Sequence, residues 1–143
     1  MSVPDSRITK LHQQALAVAE HSYSPYSHFR VGAAILLEAP EDAIVTGCNV
    51  ENASYRLTTC AEQAAIAAAV SQYGPHIRIR AISIVNLNHT ASEPCGACRQ
   101  TIAEFSTPAT RIYYPAADGA IVGVALADLL PAAFVLNPTP SEK

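Results

Sequence analysis

A chain of 143 residues, half of them apolar and only 15% charged, is long enough for one domain with a real hydrophobic core and too apolar for intrinsic disorder. Its net charge of -3, with no cluster of Lys and Arg, excludes a broad electrostatic grip on a nucleic-acid backbone and favours a small neutral partner. The surplus of apolar residues predicts subunits that pack together. An amino terminus with neither a signal-peptide core nor a membrane-spanning run predicts the cytosol, where thiols stay reduced. There the four cysteines read as metal ligands, nucleophiles or packing residues rather than as bridges.

Ile8, Leu11, Ala15, Leu16 and Ala19 recur at helical spacing behind the capping candidates Asp5 and Ser6, so the chain opens with an amphipathic helix that Pro25 limits. Apolar runs from Phe29 to Leu37 and from Ile44 to Cys48, separated by Pro40-Glu41-Asp42, read as a hairpin. The Ala-rich stretch from Cys60 to Tyr73 favours helix, and Gly74-Pro75 stops it. Ile77 to Leu87 reads as a buried strand and Asn88 to Glu93 as a polar loop, after which Pro94 suits the first turn of a helix reaching Phe105. Arg111 to Tyr114 and Ile121 to Ala125 read as short strands around an Asp118-Gly119 turn, followed by a helical piece from Leu126 to Leu130. Interleaved helices and strands predict one α/β layered domain over residues 1–137, with 138–143 as a disordered tail.

Cys95 and Cys98 stand three apart at the start of a predicted helix, so both sulfurs lie on one face. Cys60 opens the other long helix, and joining the two helix N-termini over the sheet brings three thiolates to one point, where the partial positive charge of each helix end favours the ionised sulfur. Three cysteines leave one position of a tetrahedral zinc open, the mark of a catalytic rather than a structural ion. Taken alone, Cys95-X-X-Cys98 also fits a redox dithiol or two buried thiols. Glu62 lies two residues after Cys60 and suits a base beside a metal-bound water, although Thr59-X-X-Glu62 equally matches a capping box. Cys48 has no partner at useful spacing and reads as an inert buried thiol, and the five histidines adjoin none of the cysteine motifs.

Cys60-Ala61-Glu62 followed by Pro94-Cys95-X-X-Cys98 resembles the zinc nucleobase deaminases. Tyr23-Ser24-Pro25-Tyr26-Ser27, Phe29 to Ala34, Gly47 to Tyr55, Pro94 to Gln100, Leu129-Leu130-Pro131 and Phe134 resemble, more narrowly, the small homotetrameric cytidine deaminases. The likeness implies a three-layer α/β/α sandwich around a mixed five-stranded sheet, one zinc per subunit on Cys60, Cys95 and Cys98, and an active site near subunit contacts. It implies hydrolytic deamination of free cytidine and deoxycytidine, with Glu62 relaying protons to ring nitrogen 3 and to the departing ammonia.

Asn49 and Glu51 alternate at a strand end and point to one side; by resemblance they hold the ribose, and Glu51 disfavours a nearby phosphate. The same resemblance assigns Phe29 to the face of the pyrimidine, the Ala61 backbone to the base edge, and Phe134 to closure of the pocket, sometimes across a subunit boundary. Many relatives carry arginine after the catalytic glutamate, where it donates to the zinc-bound sulfurs. Here the residue is Gln63, and Arg56 or Arg99 are the candidates to substitute. Two rival readings keep the zinc: a deaminase of a modified or antibiotic cytosine nucleoside, and a non-catalytic zinc module. A polynucleotide deaminase would need basic grooves or stacking platforms that this acidic, Trp-free chain does not offer.

Overall fold

The computed structural model describes residues 5–136. The expected tail from Pro138 to Lys143 lies outside that range. In chain order the elements are α1 (Asp5–Ala19), β1 (Val31–Ala39), β2 (Ile44–Cys48), a single 3-10 turn (Tyr55–Leu57), α2 (Ala61–Tyr73), β3 (Arg78–Asn86), α3 (Gly96–Phe105), β4 (Ser106–Pro115), β5 (Ile121–Ala125) and α4 (Leu126–Leu129).

The five strands form one sheet in the order β2-β1-β3-β4-β5. It is mixed: β3 and β4 run parallel, and the other neighbours are antiparallel. The parallel pair requires a crossover, which α3 supplies, whereas β1 and β2 are joined by the hairpin turn that Pro40-Glu41-Asp42 announces.

Alternation along β1 divides the core. Val31, Ala33, Ile35 and Leu37 face the layer of α2 and α3 together with Ile82, Ile84, Ile102 and Ile112, while Ala34 and Leu36 face α1 through Leu11 and Ala15. With α1 on one face and α2, α3 and α4 on the other, the arrangement is the expected three-layer α/β/α sandwich.

Two glycines set how closely the helices approach. A Cβ at Gly32 would lie 2.0 Å from the Ala15 carbonyl oxygen of α1, and one at Gly47 would lie 2.3 Å from the Ala65 amide nitrogen of α2. Gly47 therefore lets the first turns of α2, the helix entered through Cys60, rest directly on β2.

Several boundaries differ from expectation: β1 begins at Val31 rather than Phe29, and two more lie around α3. Pro94 precedes α3 rather than opening it, because Cys95 is the N-cap. β4 starts at Ser106, directly after α3, yet its pairing with β3 jumps from Ile79–Ser106 to Ala81–Arg111. The bulge between is closed by Thr110, whose hydroxyl accepts from the Thr107 amide at 2.8 Å and donates to the Ile79 carbonyl at 2.6 Å. Regular pairing thus begins at Arg111, where the sequence pattern places the strand.

Replacing Gly32 by Ala forces α1 off the sheet by overpacking. The expected loss is about 1–3 kcal/mol of unfolding free energy, read from denaturant midpoints, and an unchanged midpoint would contradict so close an approach.

Candidate active site

The N-termini of α2 and α3 meet above the sheet, and each is capped by a cysteine, Cys60 and Cys95. One turn into α3, Cys98 is fully buried and turns its sulfur toward the same point, so that the three sulfurs lie within 4.8 Å of one another. Among the described residues this is the one group of three or more Cys, His, Asp or Glu close enough to share an ion.

Glu62 occupies the first turn of α2 and is only 5% exposed. The capping-box alternative fails, because the cap is Cys60 rather than Thr59 and it makes no side-chain cap bond. The Glu62 carboxylate instead accepts from the Cys98 thiol at 3.2 Å.

Burial raises the Glu62 carboxyl above its ordinary range, against the lowering effect of its own backbone N–H and of the Cys98 thiol. A hydrogen bond from Cys98 brings Cys60 down to about 7. Cys98, holding that proton, is pushed far up by its bond to Cys60, by burial and by the Glu62 carboxylate. The Cys95 sulfur accepts from the Cys98 amide at 3.4 Å, so the α3 terminus contributes a backbone donor to the cluster.

Three soft donors crowded beside a buried carboxylate repel one another as they ionise, and a divalent cation removes that conflict. The donor set is the one that zinc takes, with Cys60, Cys95 and Cys98 as its ligands and Glu62 alongside. Cys48, the fourth cysteine, lies at the end of β2 outside the cluster, and burial raises its thiol.

The cluster faces a cavity of about 170 Å³ lined by Phe29, Val31, Asn49, Thr58, Ala61, Ser92 and Glu93 in addition to the four residues of the centre. Beside it lies a wider hollow of about 420 Å³ lined by Tyr26, Ser27, Glu51, Tyr55 and Thr58. Thr58 borders both, so Asn49 and Glu51, expected on one side, line two adjoining spaces. The segment that carries them is tied between Tyr23 and Thr59 by bridges at Val50.

Glu51 accepts from the Ser27 hydroxyl at 2.5 Å and from the Tyr26 and Ser27 amides at 3.0 and 3.1 Å. The Ser27 hydroxyl is the main reason that its pKa falls below the ordinary carboxylate range. Most of the Asn49 carboxamide is engaged internally: Oδ1 accepts from the Val31 amide and the Ser22 hydroxyl, and Nδ2 donates to the Phe29 carbonyl. Nδ2 carries two N–H groups, and the Phe29 carbonyl takes one of them.

Phe134 is not brought to this cavity by the chain's own fold. It is 72% exposed and lines a separate hollow of about 500 Å³ with Gln100 and Leu130. Arg99 is not turned to the sulfurs either, since its guanidinium donates to the carbonyls of Pro94 and Leu129, both at 2.8 Å. Gln63 sits half-buried in the first turn of α2. Thr58, Ser92 and Glu93 were not legible as cavity residues; their one signal is nearness to the cysteine motifs.

Two helix-capping cysteines, a third one turn on and a buried acid beside them define a metal-assisted hydrolytic centre. Residues 5–114 match the family model for the cytidine and deoxycytidylate deaminase zinc-binding region. The cytidine deaminase of Mycobacterium tuberculosis is 40% identical over 141 residues, 99% of each chain, and that of Halalkalibacterium halodurans is 40% identical over 122 residues, 85% of this chain and 89% of that one. The crystal structure of the M. tuberculosis protein superposes with a TM-score of 0.79 at 40% identity, covering 94% of this chain and 100% of that one. This chain belongs to the cytidine and deoxycytidylate deaminase family. It is a zinc-dependent hydrolytic deaminase.

Cys95→Ser and Cys98→Ser should each lower the zinc content of purified protein from about one ion per chain to on the order of a tenth, measured by plasma mass spectrometry. Cys48→Ser should leave it intact, and an equal loss in that variant would contradict the ligand set.

Proposed function

We propose that this chain hydrolyses free cytidine and deoxycytidine to uridine and deoxyuridine with release of ammonia, a reaction of pyrimidine salvage. The observation that carries the reading is the buried Glu62 carboxylate, set against a three-sulfur metal site at the floor of a cavity scaled to a pyrimidine ring.

Zinc held by Cys60, Cys95 and Cys98 supplies a Lewis acid that lowers the pKa of water from about 16 toward 7. The chain's own residues supply the rest. Glu62 takes one proton from the water whose oxygen bonds to carbon 4 and delivers it to ring nitrogen 3, then carries the water's second proton to the amino group, which leaves carbon 4 as ammonia. Such a relay works best with a carboxyl pKa raised toward neutrality, the direction that burial imposes here. Phe29 covers the face of the ring. The Ala61 N–H, one of those that a helix leaves without an intrahelical partner, meets the base edge.

Asn49 and Glu51 take the sugar hydroxyls in the wider hollow. The lowered pKa of Glu51 keeps it ionised at neutral pH, so a phosphate in that hollow meets a fixed negative charge. Nucleosides are therefore the better substrates than nucleotides.

The assembly is a homotetramer and the setting is the cytoplasm. Supporting the tetramer are Tyr23, Tyr26, Val50, Tyr55 and Leu57, which stay exposed around the site, and the 72% exposure of Phe134. No helix among the described residues is long and apolar enough to cross a membrane.

Addition of cytidine to the zinc-loaded protein should lower the ultraviolet absorbance as the ring becomes uridine. Glu62→Gln should cut turnover by at least about 100-fold while keeping its zinc; full activity in that variant would remove Glu62 from the chemistry. Sedimentation equilibrium should give four times the chain mass, and a monomer with full activity would refute the shared-site reading of Phe134.

A further inference from the structure

The apolar run that starts at Phe29 joins the sheet only at Val31, and side-chain amides add to the few backbone bonds that hold residues 28–30, from the His28 amide to the Ser24 carbonyl and from the Leu87 amide to the Arg30 carbonyl. Asn88 grips the backbone on both sides of Phe29: its Oδ1 accepts from the Arg30 amide at 3.0 Å and its Nδ2 donates to the His28 carbonyl at 2.9 Å. From the other side Asn49 takes the alternate groups, the Phe29 carbonyl at 2.8 Å and the Val31 amide at 3.0 Å. The two carboxamides thus supplement the one backbone bond to the β3 side, from the Leu87 amide to the Arg30 carbonyl at 3.0 Å.

We propose that Asn88 is a positioning residue for the substrate base, fixing through its carboxamide the segment that presents Phe29 to the cavity. The proposal rests on the reading of Phe29 as the wall that meets the pyrimidine.

Three further observations support it. His28 has φ of 58°, a left-handed conformation uncommon for a residue with a side chain, and its carbonyl is one of the two groups that Asn88 holds. Asn88 is itself anchored by the buried Asn86 at the end of β3, whose Oδ1 accepts from the Asn88 and Thr90 amides at 3.0 and 3.3 Å and whose Nδ2 donates to the Thr90 carbonyl at 2.8 Å. The same loop continues to Ser92 and Glu93, which line the cavity, so one tether connects two of its walls to the sheet.

Asn88 is exposed, and the groups that it releases when replaced are open to water. Its loss therefore acts on the aim of Phe29 more than on stability. The metal ligands and Glu62 belong to α2 and α3, which the clamp does not touch, so the effect falls on KM and not on kcat.

Asn88→Leu should raise KM for cytidine about tenfold with kcat, zinc content and Tm close to wild type. Asn88→Asp, which keeps the acceptor for Arg30 and loses the donor to His28, should give a smaller rise. In a double-mutant cycle Asn88→Leu should add nothing to Phe29→Ala, because both act on one contact. Independently of turnover, hydrogen exchange at the Arg30 amide should accelerate in Asn88→Leu. Unchanged KM and unchanged exchange in Asn88→Leu, or additive losses in the double variant, would overturn the proposal. A raised KM in Phe29→Ala but not in Asn88→Leu overturns the role of Asn88 alone, whereas an unchanged KM in Phe29→Ala overturns the reading of Phe29 and this proposal with it.

Discussion

Everything at this centre depends on holding three sulfurs close together beside a carboxylate, with Cys98 and Glu62 buried. Isolated, such a group cannot ionise fully: one proton shared between Cys98 and Cys60 lowers the second thiol and raises the first. The fold makes the arrangement tenable by bringing two helix N-termini to the same place, where partial positive charge and free N–H groups face the anions. The remaining excess of negative charge is what a divalent ion answers. Gly47 is the structural condition for this, since a side chain there would lift the first turns of α2, and with them Cys60 and Glu62, away from α3.

The site contains two acids moved in opposite directions by their surroundings. Glu62, sealed against the helix termini, is pushed toward the neutral form; Glu51, at the open end, is held ionised by the Ser27 hydroxyl and two loop amides. Divergent environments of this kind suit the divergent roles proposed above, one group exchanging protons and the other staying a fixed anion. The division follows the shape of the space, a narrow cavity over the metal ligands and a wider hollow at Glu51.

Features governed by local chemistry were readable in the sequence. Gly74, at φ of 87°, ends α2 where the Gly-Pro pair predicts, and the hairpin, the metal ligands and the burial of Glu62 beside them follow from spacing and composition. What escaped is held by contacts between distant residues. Asn88 reaches 58 positions back to Arg30, and the Asn49 side chain doubles as support for the backbone of Phe29 and Val31. No periodicity encodes such bonds. The bulge in β4 was hidden for a related reason, because only the pairing with β3 distinguishes residues 107–110 from regular strand.

The glutamine at position 63 can be understood from the same electrostatics. An arginine in the first turn of α2 would add full positive charge to the sulfurs, and no other described arginine takes its place by hydrogen bonding to them: Arg99 instead ties the Pro94 carbonyl ahead of α3 to the Leu129 carbonyl of α4. That bracing holds the α3 terminus in position to direct the Cys98 amide at the Cys95 sulfur. The donor that does reach a sulfur is an oriented backbone N–H at a helix terminus. It is weaker than a guanidinium but fixed in direction, and it requires no reorganisation when the charge at the metal changes. In this chain the α3 terminus, tied down through Arg99, presents its dipole and the Cys98 amide to the sulfurs where Gln63 brings no charge.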